Sequence, residues 1–89
     1  MITMEGMMAL GRDDLEGAAK SLSGGDIANL VEWLSLKDEE PRYRAFLLLR
    51  HRSSIADDVY PHWEAFRSKL KSESSYQRSI GVMLLGENA

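Results

Sequence analysis

Asp58 and His62 stand four residues apart near the start of a predicted helix, and His51 lies a short way upstream. A carboxylate with two imidazoles is a ligand set for a divalent metal. The simpler reading is that Asp58 caps its helix while His51 and His62 are partly exposed polar positions, and no metal ligand is assigned. Serine is frequent, yet no Gly-x-Ser-x-Gly turn and no ordering of Ser, His and acid sets a nucleophile beside a base. Gly24-Gly25 is a two-residue turn without the longer cradle and following Lys-Ser/Thr of a phosphate-binding loop. The absence of cysteine removes thiolate ligands, thiol nucleophiles and disulfides together and suits a reducing setting. No catalytic residue, cofactor or enzymatic activity is expected.

A second chemistry is charge recognition. Arg42, Arg44, Arg50, His51, Arg52, Arg67, Lys69 and Lys71 crowd into one stretch, as a phosphate-binding surface requires, and Tyr60 and Trp63 have rings on which a base stacks. The net charge of -3 opposes that reading. Charge is also unevenly placed. Residues 1–41 hold nine acids against three bases, a balance of -6, whereas residues 42–89 hold eight bases against five acids, a balance of +3. Neither block is basic enough to be a nucleic-acid footprint by itself.

These residues need elements to position them. With 89 residues, 44% of them hydrophobic, the chain has room for one small core and little for an enclosed active site. Val, Ile and Thr together number eight, against abundant Leu, Ala, Glu, Arg and Met, which favours helix over sheet. The longest apolar run, Ala45 to Leu49, is far short of the roughly 18 residues that span a bilayer, so no membrane association is expected. Met1 to Leu10 lacks the positive start of a secretory signal, and a cytoplasmic location is expected.

Apolar periodicity predicts about five helices. Residues 1–11 read as a Met-rich lead-in, frayed or disordered, and residues 12–89 as a single helical domain. Leu15, Ala18, Ala19 and Leu22 mark a first short helix. After Gly24-Gly25, Asp26 is the expected cap of a second, whose stripe is Ile27, Leu30, Val31 and Leu34. Pro41 suits the first turn of a third, from Arg42 to about Arg52, which is apolar on more than one side. Val59, Trp63, Phe66 and Leu70 predict a fourth helix starting near Asp58, and Tyr76, Ile80, Met83 and Leu84 a fifth over residues 75–88.

The last helices repeat. Placing Arg44 over Arg78 aligns Phe46 with Ile80 and Leu49 with Met83 at an offset of 34, while Asp26, Val31 and Leu34 fall over Asp58, Trp63 and Phe66 at an offset of 32. Glu40-Pro41-Arg42-Tyr43-Arg44 and the run Arg78, Gly81, Leu84, Leu85, Gly86 resemble, in two halves, the opening and continuation of the first helix in HEAT/armadillo-like helical-hairpin repeats. Gln77 departs from that pattern, standing where an aliphatic residue belongs. The resemblance covers about residues 26–88 and implies an all-α, right-handed α-α superhelix, a HEAT-like solenoid. It further implies inter-repeat ties by Arg44 and Arg78 to acids such as Asp38 and Asp58.

A solenoid of this kind is a non-catalytic scaffold or protein-interaction module whose second helices line one surface. Expected partner contacts are Asn29, Glu32, Trp33, His62, Glu64 and Arg67. The alternative is nucleic-acid binding, as in HEAT-like DNA-alkylation-repair glycosylases, through Arg42, Arg50, Arg52, Lys69 and Lys71. About two and a half repeats leave terminal faces uncovered, so a fragment of a longer solenoid or a homodimer is expected.

Overall fold

The computed structural model describes residues 2–89, and the regular structure among them is entirely helical. Six α-helices run in order: α1 (Met4–Ala9), α2 (Leu15–Ala19), α3 (Gly24–Trp33), α4 (Glu39–Ser53), α5 (Trp63–Lys69) and α6 (Ser75–Glu87). Short 3-10 turns, Arg12–Asp14 and Tyr60–His62, lead into α2 and α5. The all-α class is as expected, with one helix more than predicted.

The extra helix lies in the lead-in, which is neither frayed nor outside the core. Thr3 caps α1 by accepting a hydrogen bond from Gly6 N at 3.0 Å, and Met7 is completely buried. Burying one thioether side chain against α4 stabilises a six-residue helix too short to persist alone. At α3 the expected cap is displaced by one turn. Ser23 Oγ accepts from Asp26 N at 3.2 Å, and Asp26 Oδ2 accepts from Ser23 N at 3.0 Å, so Asp26 is the reciprocal half of a capping box. Its other oxygen accepts from Ile2 N at 2.7 Å, which ties the N-terminal arm to α3. These backbone donors, those of Ser23 and then Ile2, hold the Asp26 carboxyl below its usual pKa despite burial.

α4 begins three residues before the expected Arg42, because Glu39 and Glu40 suit a helix first turn and Pro41 sits where its missing N–H has no intrahelical acceptor. The fourth predicted helix is shortened at its start. Pro61 offers no donor and disfavours regular α geometry at the residue before it, and the chain closes by tighter bonds, His62 N to Val59 O at 3.0 Å among them, before α5 begins at Trp63.

Packing is centred on α4, which touches α1, α2, α3 and α6, while α5 lies against α6. Leu48 and Leu49 of α4 share the core with Leu15, Leu30, Leu34, Phe66 and Leu84. The molecule measures 31 × 27 × 21 Å with a radius of gyration of 11.9 Å, near the roughly 12 Å of a compact chain this long.

The internal repeat has a different register from the one the motif suggested. Arg42 N bonds Asp38 O as Arg78 N bonds Ser74 O, and both guanidinium groups reach back to a carbonyl six residues earlier: Arg42 to Leu36 O at 3.2 Å, Arg78 to Ser72 O at 2.8 Å. The counterpart of Arg78 is therefore Arg42, not Arg44. One offset of 36 residues also superposes buried Leu30 on Phe66, Ala45 on Gly81 and Leu48 on Leu84, which removes the two-residue mismatch between the hairpins.

Candidate interaction surface

The last carbonyls of every helix lack intrahelical donors; two arginines reach such ends and two more bond carbonyls of the connectors. Arg44 donates to Leu10 O at the end of α1 and pairs with Glu40 at 3.0 Å. Arg52 donates to Ala19 O and Lys20 O at 3.1 and 3.2 Å, where α2 ends. Arg42 reaches Leu36 O and Lys37 O beyond α3, and Arg78 reaches Ser72 O beyond α5. A guanidinium carries several donors in a fixed fork, so it can satisfy two carbonyls and still meet a carboxylate.

The expected Asp–Arg ties thus form with other partners. Asp58 binds Arg52 through two bonds of 2.8 and 3.0 Å. Arg44 lies in the first half of α4 beside the end of α1, whereas Arg52, in the last turn, lies where the chain re-enters at Asp58. Asp38 is the backbone cap of α4 and makes no side-chain cap bond. The Arg52 bond holds the Asp58 carboxyl below its usual range against the opposing effect of burial, and raises Arg52 further. His51 and His62 do not join Asp58 in a metal-holding cluster, and no such cluster occurs among the described residues.

The basic stretch is dispersed by the same contacts. Of Arg42, Arg50, Arg52, Lys69 and Lys71, Arg52 caps the end of α2 and Arg42 bonds the connector after α3, its guanidinium also stacking 3.8 Å from the centre of the Tyr76 ring. Lys69 donates to Gln77 Oε1 at 2.7 Å, and Arg50 lies 3.4 Å from Glu87. Lys71 remains exposed.

Helices α3 and α5 carry the residues expected to meet a partner. Asn29, Trp33 and His62, the last just ahead of α5, are half-buried; Glu32, Glu64 and Arg67 are exposed, with Arg67 and Glu64 3.4 Å apart. Between α3, α5 and the start of α6 runs an open groove of about 590 Å³. Only Glu32 of the six borders it. The other polar walls are Ser35, Lys37, Ser68, Lys69, Ser72, Ser74 and Gln77, with Val31, Ala65 and Tyr76 supplying apolar surface. Gln77 is only 9% exposed and organises the closed end: its Nε2 donates to Leu34 O at 2.6 Å while its Oε1 accepts from Lys69. The sequence marked Gln77 only as a departure from the HEAT-like pattern in the register set on Arg44; in the 36-residue register it falls over Pro41.

A smaller slot of about 270 Å³ lies between α4 and α6, walled by Tyr43, Phe46, Ile80 and Met83 and by the stacked Arg42 and Tyr76. Beyond it, Val82 and Met83 expose 60% and 49% of their surface. Among the described residues no helix is long and apolar enough to cross a membrane. In comparisons of the chain with protein-family models, curated proteins and solved structures, nothing matches.

Proposed function

We propose that this chain is a non-catalytic helical-repeat module of HEAT/armadillo type, a right-handed α-α superhelix whose α3–α5 face binds a partner protein. The observation that carries the reading is the order in which helices pair. α4 touches both α2 and α6, while α3 packs on α4 and α5 on α6, pairings that a two-layer repeat stack also makes. The constant 36-residue register of the two hairpins supports it. In such a stack α3 and α5 share a face, and that face holds the largest groove described here, together with Trp33 and the Glu64–Arg67 pair.

The nucleic-acid alternative is the weaker, because two of its five cations, Arg42 and Arg52, are engaged with backbone carbonyls and a third is held in the groove. Photo-crosslinkers placed at Glu32 and Arg67, with Lys20 just after α2 as the control position, test the reading in the native cell. The expected result is one discrete protein adduct from Glu32 and Arg67 and none from Lys20. Equal labelling from all three positions, or adducts with nucleic acid alone, overturns it.

A further inference from the structure

Lys69 is the cation of the groove. It is half-buried and its nearest polar neighbours are neutral: Gln77 Oε1 at 2.7 Å and Ser35 Oγ at 3.4 Å. None of the four ion pairs among the described residues includes it. An ammonium drawn out of water without a counter-ion raises the free energy of the folded state, and burial accordingly pushes the Lys69 pKa down.

The same end of the groove has a second uncompensated group. Ser74 caps α6 only by its backbone: its hydroxyl makes no cap bond, has no hydrogen-bond partner and is buried. The first amides of α6 beside it have no intrahelical acceptor and add positive potential. Lys37 lines the same groove, so two lysines, four serines and the start of α6 border it against a single acid, Glu32 of α3.

We propose that this groove binds an acidic segment of a partner protein, one carboxylate of which sits against Lys69 at the start of α6. The proposal rests on the protein-interaction reading above and names the chemistry of the partner. A carboxylate suits the site better than a phosphate dianion. The walls carry no arginine to hold phosphate in a bidentate pair, and Glu32 shares the groove. Val31, Ala65 and Tyr76 give the rest of the segment apolar surface to lie on.

The test uses the full 89-residue chain, labelled with nitrogen-15 and titrated with an acetylated hexaglutamate peptide, with hexaglutamine and inorganic phosphate as separate arms. The expected result is amide shift changes at Ser35, Lys69 and residues 72–77 with hexaglutamate only. Lys69→Gln should weaken binding about tenfold, the loss of one charge-assisted hydrogen bond, while Lys20→Gln, which removes the same charge just after α2, should change it less than about twofold. Mapping on the unsubstituted chain does not depend on how the variants fold.

Equal weakening by the two variants means general charge attraction, and a phosphate response without a peptide response means an oxyanion site; either overturns the proposal. So does silence in every arm. If the peptide arm fails while crosslinking from Glu32 and Arg67 still yields one protein, the acidic chemistry is wrong and the interaction reading survives. If both fail, the reading itself is wrong.

Discussion

Helices α4 and α6 occupy equivalent places 36 residues apart and differ in what surrounds them. Each begins at a backbone cap, Asp38 or Ser74, and each sends an arginine from its second turn back to the preceding connector. Their inner faces match, with Leu48 and Leu84 both fully buried. Their outer faces do not: Phe46 is 6% exposed because α6 covers it, whereas its counterpart Val82 is 60% exposed. Apolar spacing along a helix therefore reports which face can be buried, and the next element in the stack decides whether it is. The ends differ too. Arg52 locks the end of α4 to α2 and Asp58, while its counterpart Asn88 closes α6 with neutral bonds to Leu84 O and Ser53 Oγ.

The comparison breaks first at its outer faces. Phe46→Ala should lower unfolding free energy by about 3 kcal/mol, since it removes a buried aromatic ring from the α4–α6 contact, and urea denaturation measures it. A loss under about 1 kcal/mol would mean that α6 does not cover α4 in solution. The next largest effect concerns Gly81, where α4 has Ala45. A Cβ at position 81 would lie 2.7 Å from Phe66 O and 3.1 Å from Lys69 Cβ, so α5 could not approach α6 as closely. Gly81→Ala should cost about 1–3 kcal/mol even though alanine is the better helix former. Gly86, with nothing within 4 Å of a Cβ, is its control, and Gly86→Ala should stabilise by about 0.5–1 kcal/mol.

How far these contrasts were legible in the sequence follows from the same residues. Ile27, Leu30, Val31 and Leu34 announced α3 by period, all buried but the partly buried Val31; α4 was announced by six apolar residues around more than half its circumference, of which Ala45, Phe46, Leu48 and Leu49 are buried, Leu47 partly buried and Tyr43 exposed. α1 was not legible, because a short segment with Gly6 and Gly11 at hand has little helix propensity, and only the fit of Met7 into the core fixes it. The Asp26 cap was misplaced by one turn because Ser23 and Asp26 are both capping residues and only the geometry assigns their roles. Leu70, expected in the core stripe with Val59 and Phe66, is 40% exposed: α5 ends at Lys69 and Leu70 is its C-cap, whereas Val59 and Phe66 are both fully buried. The repeat register followed Arg44 because it sits where the HEAT-like opening places its arginine, yet the arginine whose contacts repeat is Arg42. Of the groove, Glu32 was foreseen. Lys69 and Gln77 come together across α5 and α6, a pairing set by tertiary approach and invisible to helical spacing.

The lock at the end of α4 gives the third contrast, and it depends on pH. Asp58 has its folded pKa lowered beneath the unfolded value of about 3.9, so its contribution is fully present above that value and disappears as pH falls through the folded pKa. Asp26, lowered by its backbone donors, acts in the same window. Stability should fall as the medium is acidified below about pH 4. Arg52→Gln should cost about 1–2 kcal/mol near neutrality, where the carboxylate pair and both helix-end bonds are lost together, and should flatten part of the acid slope. Asp26→Asn should flatten the remainder. Thermal unfolding across pH 2.5–7 separates the two contributions; an unchanged slope in Arg52→Gln would show that the pair is open in solution.

The smallest expected effect is the sharpest on the outer faces. Val82→Ala removes two methyl groups that water already reaches, so its cost should stay within about 0.5 kcal/mol at low protein concentration. Set beside Phe46→Ala, that value measures how much of an apolar helix face is worth burying only when another helix arrives. If Val82→Ala instead costs more as the protein concentration is raised, the bare face of α6 has found a second copy. The difference between α4 and α6 is then a property of the isolated chain and disappears in the assembly.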